Sequence, residues 1–248
     1  VNAHLRCIAY LQINKTKIDI TKLESKSRDL EKLSAAGNVK ETASLTLTIA
    51  QVLNDRASSD EEPEKATALR EKLVDAVVGD GKIPNQTDLK DVSQMISAVN
   101  AATDKAEQNN KEIASKTCNF MEKAVMAILA QTNETDTPSE DIVEASKRVF
   151  LTAANIVQTL NTKGNKLRTE AQTMSHQTRN TIENLANAIG KTMIPGEKEQ
   201  TQEAKSLFMA ISLEKPKKMG NKSISIRGVN FQMPANFAIN SSSSLRRL

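Results

Sequence analysis

The sequence contains very few aromatic residues and no tryptophan. Aromatic side chains make up 2% of the 248 residues, against 38% for hydrophobic residues as a whole. A β-sandwich ordinarily draws on aromatic and β-branched side chains, whereas layers of helices can be packed with Leu, Ile, Val, Ala and Met. The composition therefore favours a mainly α fold over a sandwich.

A long hydrophobic run is also missing. A membrane-spanning helix needs about 18 consecutive apolar residues or more, and the sequence offers no such run, so we expect no membrane insertion by this segment. The chain begins at Val1, without an initiator Met or a signal peptide. We therefore expect it to be part of a longer polypeptide.

The sequence lacks the motifs of the common catalytic and metal sites. The nucleophile elbow, the zinc-protease motif, the phosphate-binding loop and the dinucleotide fingerprint are absent. His4 and His176 have no Cys or carboxylate at metal-ligand spacing, and the Asp80–Asp88 segment lacks the acidic spacing and the final Glu of a calcium loop. We predict a protein that is not an enzyme, without catalytic, cofactor-binding or metal-binding residues and without a cofactor.

Basic and acidic residues are present in similar numbers. The 34 basic and 30 acidic residues are interleaved, and no run of Lys and Arg alternates with aromatic residues. Interleaved charges are typical of a solvated surface, whereas nucleic-acid sites combine basic runs with stacking aromatics. We predict no nucleic-acid partner.

Cys7 and Cys118 are the only two cysteines. Three arrangements remain open: they pair with each other, they pair with cysteines elsewhere in a longer polypeptide, or they are free. Cys118 lies beside the apolar face of a predicted helix and has no His nearby in the sequence. This position favours a buried structural cysteine or one half of a disulfide over a nucleophile.

Helical periodicity runs through the first 200 residues. The clearest helix start is Thr137-Pro138, where Thr137 can cap the helix and Glu140 can complete a capping box. The methionines at helical spacing are predicted to fill the core, namely Met95, Met121, Met126, Met174 and Met193. Apolar residues at spacings of three and four predict helices over 20–33, 41–53, 63–78, 87–103, 111–130, 138–160 and 165–193.

These helices repeat weakly in pairs. One set of similar segments consists of IAQVLND, ISAVNAA and NIVQTLN, and the other of EKLVDAVVG, MEKAVMAIL and IENLANAIG. The two sets alternate along the chain, which predicts three helical hairpins joined by loops of varying length. The expected architecture is an antiparallel array of degenerate helical hairpin repeats.

The pattern changes after residue 200. Leu207–Leu213 is a continuous apolar run, and Ser223–Arg227 and Val229–Met233 alternate between apolar and polar residues, as strands do. We predict a mainly α protein in which an array of about seven helices is followed by a few C-terminal β-strands. The expected division is a helical subdomain over 1–200 and the start of a truncated β subdomain over 201–248.

Acceptor motifs for N-glycosylation occur five times, mostly where loops or turns are predicted. Several such motifs in loops favour a secreted protein or an ectodomain. Asn133 is expected in the loop before the helix that starts at Pro138. The candidate acceptors are Asn14, Asn85, Asn133, Asn221 and Asn240.

Five segments in order resemble the extracellular region of the polycystin and receptor-for-egg-jelly family. They are AAGNVKETASLTLTIAQVLND, ALREKLVDAVVGD, DLKDVSQMISAVNAAT, ASKRVFLTAANIVQTLN and LEKPKKMGNKSISIRGVNFQMPANF. In that family, paired helices lead into β-strands that carry a Gly…Phe-x-x-Pro signature. The corresponding residues here are Gly37, Asn54, Arg70, Gly228, Phe231 and Pro234.

The resemblance implies the helical subdomain and first strands of a GAIN-type, autoproteolysis-inducing domain outside the membrane. The His-Leu-Thr or His-Leu-Ser cleavage motif of the family is absent from this sequence, so no residue here is assigned to self-cleavage. The implied setting is the extracellular side of a multi-spanning membrane protein, with receptor signalling, calcium entry and adhesion as themes. Implied partners are neighbouring domains of the same polypeptide and an extracellular protein or glycan ligand.

The leading hypothesis is therefore a non-catalytic extracellular scaffold segment that supports a downstream β subdomain. The first alternative is an intracellular all-α scaffold that binds partner helices. A second is a regulatory domain of an enzyme whose active site lies elsewhere.

Overall fold

The structure is a computed structural model that describes residues 20–56, 62–79, 88–134, 140–163, 168–213, 223–226 and 229–232. It confirms a mainly α chain with C-terminal antiparallel strands. Seven α-helices and four strands lie within these ranges. The helices are α1 (Ile20–Ala35), α2 (Val39–Arg56), α3 (Pro63–Val78), α4 (Leu89–Thr103), α5 (Lys111–Glu134), α6 (Glu140–Lys163) and α7 (Arg168–Thr192), and a 3₁₀ turn, Ala106–Gln108, joins α4 to α5.

Local sequence explains several helix ends. Gly37 follows α1 with a φ of 74°, and the amides of Gly37 and Asn38 donate to the carbonyls of Ser34 and Leu33. This is the Schellman arrangement, in which glycine tolerates the left-handed backbone that ends a helix. Pro63 occupies the first turn of α3, and the Asp88 carboxylate caps α4 by accepting from the Lys90 amide at 3.1 Å.

The helices form two layers. Helices α2, α4 and α6 pack side by side in one layer, and α1, α3, α5 and α7 pack side by side in the other. Each helix also contacts the next helix along the chain, which lies in the opposite layer. The predicted hairpins α2–α3, α4–α5 and α6–α7 are therefore successive units of one layered array, as in helical repeat proteins.

Aliphatic side chains and alanine fill the space between the layers. One buried cluster joins α1, α2 and α3 through residues such as Leu23, Ile49 and Leu73. A second, larger cluster runs through α4, α5, α6 and α7 and includes Val99, Ile128 and two phenylalanines, Phe120 and Phe150. The near absence of aromatic residues is thus accommodated by close helix packing.

Two antiparallel hairpins follow the helices. The first consists of β1 (Gln200–Ala204) and β2 (Leu207–Ile211), with Gln202 opposite Met209. The second consists of β3 (Ser223–Ile226) and β4 (Val229–Gln232), with Ile224 opposite Phe231. Strand β2 falls within the predicted Leu207–Leu213 run, whereas β1 was not predicted.

Several details of the sequence-based predictions are wrong. Met126 does not fill the core, because 62% of its surface is exposed; the other four methionines named above are buried. Helix α5 extends to Glu134, so Asn133 lies in the last turn of a helix and not in a loop. Helix α4 begins at Leu89, because Asp88 is its cap. Thr137 and Pro138 lie outside the described residues, which resume at Glu140.

Candidate functional site

A cluster of buried polar side chains lies at the C-terminal ends of α2 and α4. Its centre is Arg70 of α3, whose side chain is fully buried. Its Nη2 donates to Asn54 Oδ1 at 2.7 Å, its Nε donates to Gln108 Oε1 at 2.7 Å, and its Nη1 donates to the Ala102 carbonyl at 2.9 Å. Asn54 Nδ2 in turn donates to the Ala101 carbonyl at 2.9 Å. One guanidinium group thus ties together α2, α3, α4 and the 3₁₀ turn.

The cluster continues through Asn109 into α6. Asn109 Nδ2 donates to the Thr103 carbonyl and to Thr159 Oγ1, both at 2.9 Å. Lys163 Nζ donates to the Asn109 carbonyl at 2.6 Å. Because Gln108 and Asn109 are adjacent in the chain, the Arg70 bonds and the α6 bonds meet at one short segment.

Helices α4 and α6 are also joined directly by amide groups. Asn155 Nδ2 donates to Asn100 Oδ1 at 3.0 Å and to the Asn100 carbonyl at 3.1 Å. These bonds, with those of Arg70 and Asn109, form what we call the polar cluster: Asn54, Arg70, Asn100, Thr103, Gln108, Asn109, Asn155, Thr159 and Lys163. A guanidinium retains its positive charge at any ordinary pH. The cluster therefore supplies fixed hydrogen bonds that hold five elements in one register.

Cys118 lies between α5 and α7. Its Sγ is 3.6 Å from Thr178 Oγ1 and 4.0 Å from the Met174 carbonyl, and its side chain is fully buried. Burial raises the pKa of the Cys118 thiol to about 11, although the contact with Thr178 opposes the shift. A thiol with such a pKa is a poor nucleophile at neutral pH. Cys7 lies outside the described residues, so the three arrangements of the two cysteines all stay predictions.

The glycosylation candidates are separated along the chain. Asn133 is the one whose backbone position is described, in the last turn of α5. The other four, Asn14, Asn85, Asn221 and Asn240, lie outside the described residues. Of the predicted site residues, Cys118 and Asn133 lie in the described part of the chain, and they are 15 residues apart on α5.

A second feature is the surface on which β1–β2 lies, which we call the hairpin seat. It is formed by side chains of α6 and α7, including Phe150 and Ile189, and it receives Met209 and Ile211 of β2. Met209 and Ile211 are 3% and 2% exposed, so they are full members of the core. One side-chain hydrogen bond adds to this packing, from Ser206 Oγ to the Ala154 carbonyl at 2.8 Å.

Open grooves flank the hairpin on both sides. The groove beside β1 has a volume of about 370 Å³ and is lined by Val143, Phe150, Leu151 and the β1 backbone region. The groove beside β2 has a volume of about 400 Å³ and is lined by the apolar residues Val157, Ile182 and Leu207 and by four polar residues of α7, Ser175, Thr178, Arg179 and Glu183. The hairpin therefore covers the seat without filling it.

Ion pairs connect neighbouring helices of the α1–α3–α5–α7 layer at its surface. Lys116 Nζ lies 2.5 Å from Asp75 Oδ1, and Lys111 Nζ lies 2.6 Å from Glu170 Oε1. The hydrogen bond that Lys116 donates to Asp75 raises the pKa of Lys116, and the hydrogen bond that Glu170 accepts from Lys111 lowers the pKa of Glu170. Such exposed ion pairs contribute little to the free energy of unfolding. The layer is therefore held together mainly by its buried contacts.

The described part of the chain contains no group of three or more His, Cys, Asp or Glu side chains placed to hold a metal ion. Within the same residues, no helix combines the length and the apolar character needed to cross a bilayer.

Sequence reasoning did not find the polar cluster as a site. Arg70 had entered only through the family resemblance, together with Asn54, and the two side chains are in fact hydrogen-bonded to each other. A signal was present, because Arg70 lies on the stripe of α3 that is otherwise apolar, between Ala66 and Val74. A charged residue at a core position of an amphipathic helix predicts a buried polar partner.

The fold and these two features define a layered helical array that carries a β-hairpin on its last helical pair. Comparison with known proteins finds no matching protein-family model, no matching curated protein and no matching solved structure. The resemblance to the polycystin and receptor-for-egg-jelly family stays a prediction.

Proposed function

We propose that this chain is a non-catalytic scaffold segment on the extracellular side of a polycystin-like membrane receptor or channel-associated protein. In this proposal the helical array supports the β segment that follows it. Its surface is presented to neighbouring domains of the same polypeptide and to an extracellular protein or glycan ligand.

The observation that carries the proposal is the shared core of the helices and the first hairpin. Met209, Ile211 and Leu213 belong to the same buried cluster as Phe150 and Ile189. A strand whose apolar residues complete a helical core depends on that core for its position, because an isolated two-stranded hairpin is at best marginally stable. If the helical array supports the β segment, the first hairpin should depend on the helices for its position in this way.

The sequence supports the extracellular part of the proposal through five glycosylation motifs in 248 residues. The family resemblance on which the proposal also rests includes Asn54 and Arg70, and these two side chains share a hydrogen bond in the polar cluster.

Glycan occupancy tests the location. The parent protein is produced in mammalian cells as wild type and as Asn85→Gln and Asn133→Gln variants, and each is digested with a glycosidase that removes N-linked glycans. We expect the wild type to lose mass on digestion and each variant to lose less. Asn161→Gln is the matched control, because Asn161 is exposed on α6 but is not followed by Ser or Thr two residues on.

A wild-type chain with no mass shift at Asn85 or Asn133 would contradict the extracellular proposal. That result would favour an intracellular helical scaffold instead, and the next measurement would then be binding of amphipathic partner helices.

A further inference from the structure

The groove beside β1 runs between that strand and helix α6. Gln200–Glu203 line it together with residues 143–151 of α6, and further along the chain Ser206 Oγ donates to the Ala154 carbonyl. Strand β1 therefore follows α6 in the same chain direction, and the space between them is elongated. A molecule that fills this groove along its length has to be extended.

Three residues at intervals of four line the groove on the α6 side, namely Val143, Lys147 and Leu151. Residues four apart lie on one side of a helix and are separated by about 6 Å along its axis. Alternate residues of an extended strand share a face and are separated by about 6.6 Å. An extended peptide in the groove would therefore place three alternate side chains opposite these three residues in turn.

The two outer members of this row are apolar. Val143 is 41% exposed and is one of three large hydrophobic residues that are exposed in the described part of the chain. Leu151, at the other end of the row, is half-buried. Covering exposed apolar surface is favourable, so apolar side chains at both ends of the matching peptide segment would contribute to binding.

The middle member, Lys147, carries a charge that is not yet paired. Lys147 is exposed and makes no hydrogen bond or ion pair with the other described residues, whereas the adjacent Arg148 pairs with Glu144 at 2.9 Å. Glu203 also lines the groove, but it occupies an exposed position of β1 and has an interaction of its own. An ammonium group between two apolar contacts complements a carboxylate. We therefore expect Asp or Glu at the middle position of the peptide.

Gln202 adds a hydrogen-bond acceptor on the β1 side. Its Oε1 is buried and accepts no hydrogen bond from the described residues. Gln202 is less exposed than Thr201 and Glu203 on either side of it, so its side chain is on the face of β1 that is turned to the helices. A buried acceptor without a donor is unfavourable, and a peptide backbone offers an N–H at every residue except proline.

We propose that the groove beside β1 binds an extended peptide segment of a partner protein in which an acidic residue lies two positions from an apolar residue on each side. The two apolar side chains contact Val143 and Leu151, the carboxylate pairs with Lys147, and a backbone N–H of the peptide donates to Gln202 Oε1. The pattern reads the same in both chain directions. The inference rests on α6 and β1 and does not depend on whether the chain is extracellular.

Fluorescence anisotropy with two peptides tests the charge. The probes are fluorescein-labelled Thr-Val-Thr-Asp-Thr-Val-Thr and the same peptide with Lys in place of Asp, each titrated with the full chain. We expect the Asp peptide to bind about fivefold more tightly, which is the upper end of the contribution of an exposed ion pair. Lys147→Glu should reverse the order of the two peptides. Lys72→Glu makes the same charge change at an exposed position of α3 outside the groove and should leave the order unchanged.

A second pair of variants tests the apolar contact. Val143→Ser removes apolar surface from the groove and should weaken binding of the Asp peptide by about fivefold. Met126→Ser is the matched control, because Met126 is exposed on α5 and does not line the groove. Circular dichroism of all four variants should match the wild type, since each substituted side chain is exposed.

Three results would overturn the proposal: no binding of the Asp peptide, equal binding of the two peptides by the wild type, or an order that Lys147→Glu does not reverse. Sedimentation equilibrium of the wild type without peptide separates a further case. A dimer that Lys147→Glu dissociates would show that a second copy of the chain occupies the groove, and it would overturn the proposal as well.

Discussion

The polar cluster and the hairpin seat hold parts of the molecule together in opposite ways. In the cluster, Arg70 and Asn109 make hydrogen bonds of 2.7 to 2.9 Å to partners on several helices. In the seat, Met209 and Ile211 make apolar contacts, and one side-chain bond from Ser206 assists them.

The two regions differ in how well they tolerate substitution of a buried side chain. A buried polar group that loses its partner is destabilising by about 1–3 kcal/mol, so the cluster permits one helix register. Apolar packing depends mainly on volume and accepts rearrangement at lower cost. The array is thus fixed by directional hydrogen bonds at the ends of α2, α4 and α6, whereas its last face is covered by apolar packing of the hairpin.

The largest effect is expected from breaking the cluster at its centre. Arg70→Ala removes three hydrogen bonds and leaves Asn54 Oδ1, Gln108 Oε1 and a carbonyl oxygen to be satisfied otherwise. Each buried acceptor that loses its donor is destabilising by about 1–3 kcal/mol, so we expect the free energy of unfolding to fall by about 3 kcal/mol or more. Urea denaturation followed by circular dichroism measures this loss.

Arg179→Ala is the matched control for that experiment. Arg179 pairs with Glu183 on the surface of α7, and its side chain is 78% exposed. Its removal should change the free energy of unfolding by less than about 1 kcal/mol, as for other exposed pairs. Equal losses for the two arginines would show that the cluster does not hold the array together.

A smaller effect is expected from weakening the seat. Ile211→Ala removes buried methyl groups from the core shared by the hairpin and helices, a change that typically lowers the free energy of unfolding by about 2–5 kcal/mol. We expect the lower end of that range, because the grooves beside the hairpin let neighbouring side chains move into the space. Thr201→Ala on the exposed side should have almost no effect. A loss for Ile211→Ala that exceeds the loss for Arg70→Ala would reverse the comparison.

The smallest effect on stability is expected at a third buried contact, where Cys118 lies between α5 and α7. The pKa of the Cys118 thiol is raised from 9.0 to about 11 by burial, so folding favours the protonated thiol. This stabilisation is complete below about pH 9 and is lost as the pH rises towards 11. We expect the wild type to lose about 1 kcal/mol more than Cys118→Ala between pH 8 and pH 10, from the linkage between pKa and stability.

Denaturation of the two proteins at several alkaline pH values measures this difference. Parallel pH profiles would contradict the buried thiol and would be the result expected of a Cys7–Cys118 disulfide. Peptide mapping after alkylation, with and without reductant, separates these two cases.

Most helices could be predicted because their signals are local. The apolar stripes of α1 to α7 follow the 3.6-residue period, and Gly37 and Pro63 mark boundaries through backbone preferences of their own. The pairing of helices could be predicted from the alternating segments, since each segment repeats the same burial requirement. Local signals therefore accounted for the fold class.

The features that were missed depend on contacts between distant residues. Strand β1 has the sequence QTQEA, which carries no apolar alternation; it is a strand because it pairs with β2 and lies against α6. Arg70 is separated by 38 residues from Gln108, so its burial could be recognised only with the helices in place. The exposure of Met126 likewise depends on which face of α5 the neighbouring helices leave open.

The most direct test of the central claim is hydrogen–deuterium exchange of the full chain, compared between the first hairpin and its seat. The claim is that β1–β2 is a packed part of the helical core. Peptides covering residues 200–211 should be protected to the same degree as peptides from α6 and α7, and Ile211→Ala should lower protection of the hairpin more than that of α4. Exchange of the hairpin at the rate of an unstructured peptide, with α6 and α7 still protected, would contradict the claim.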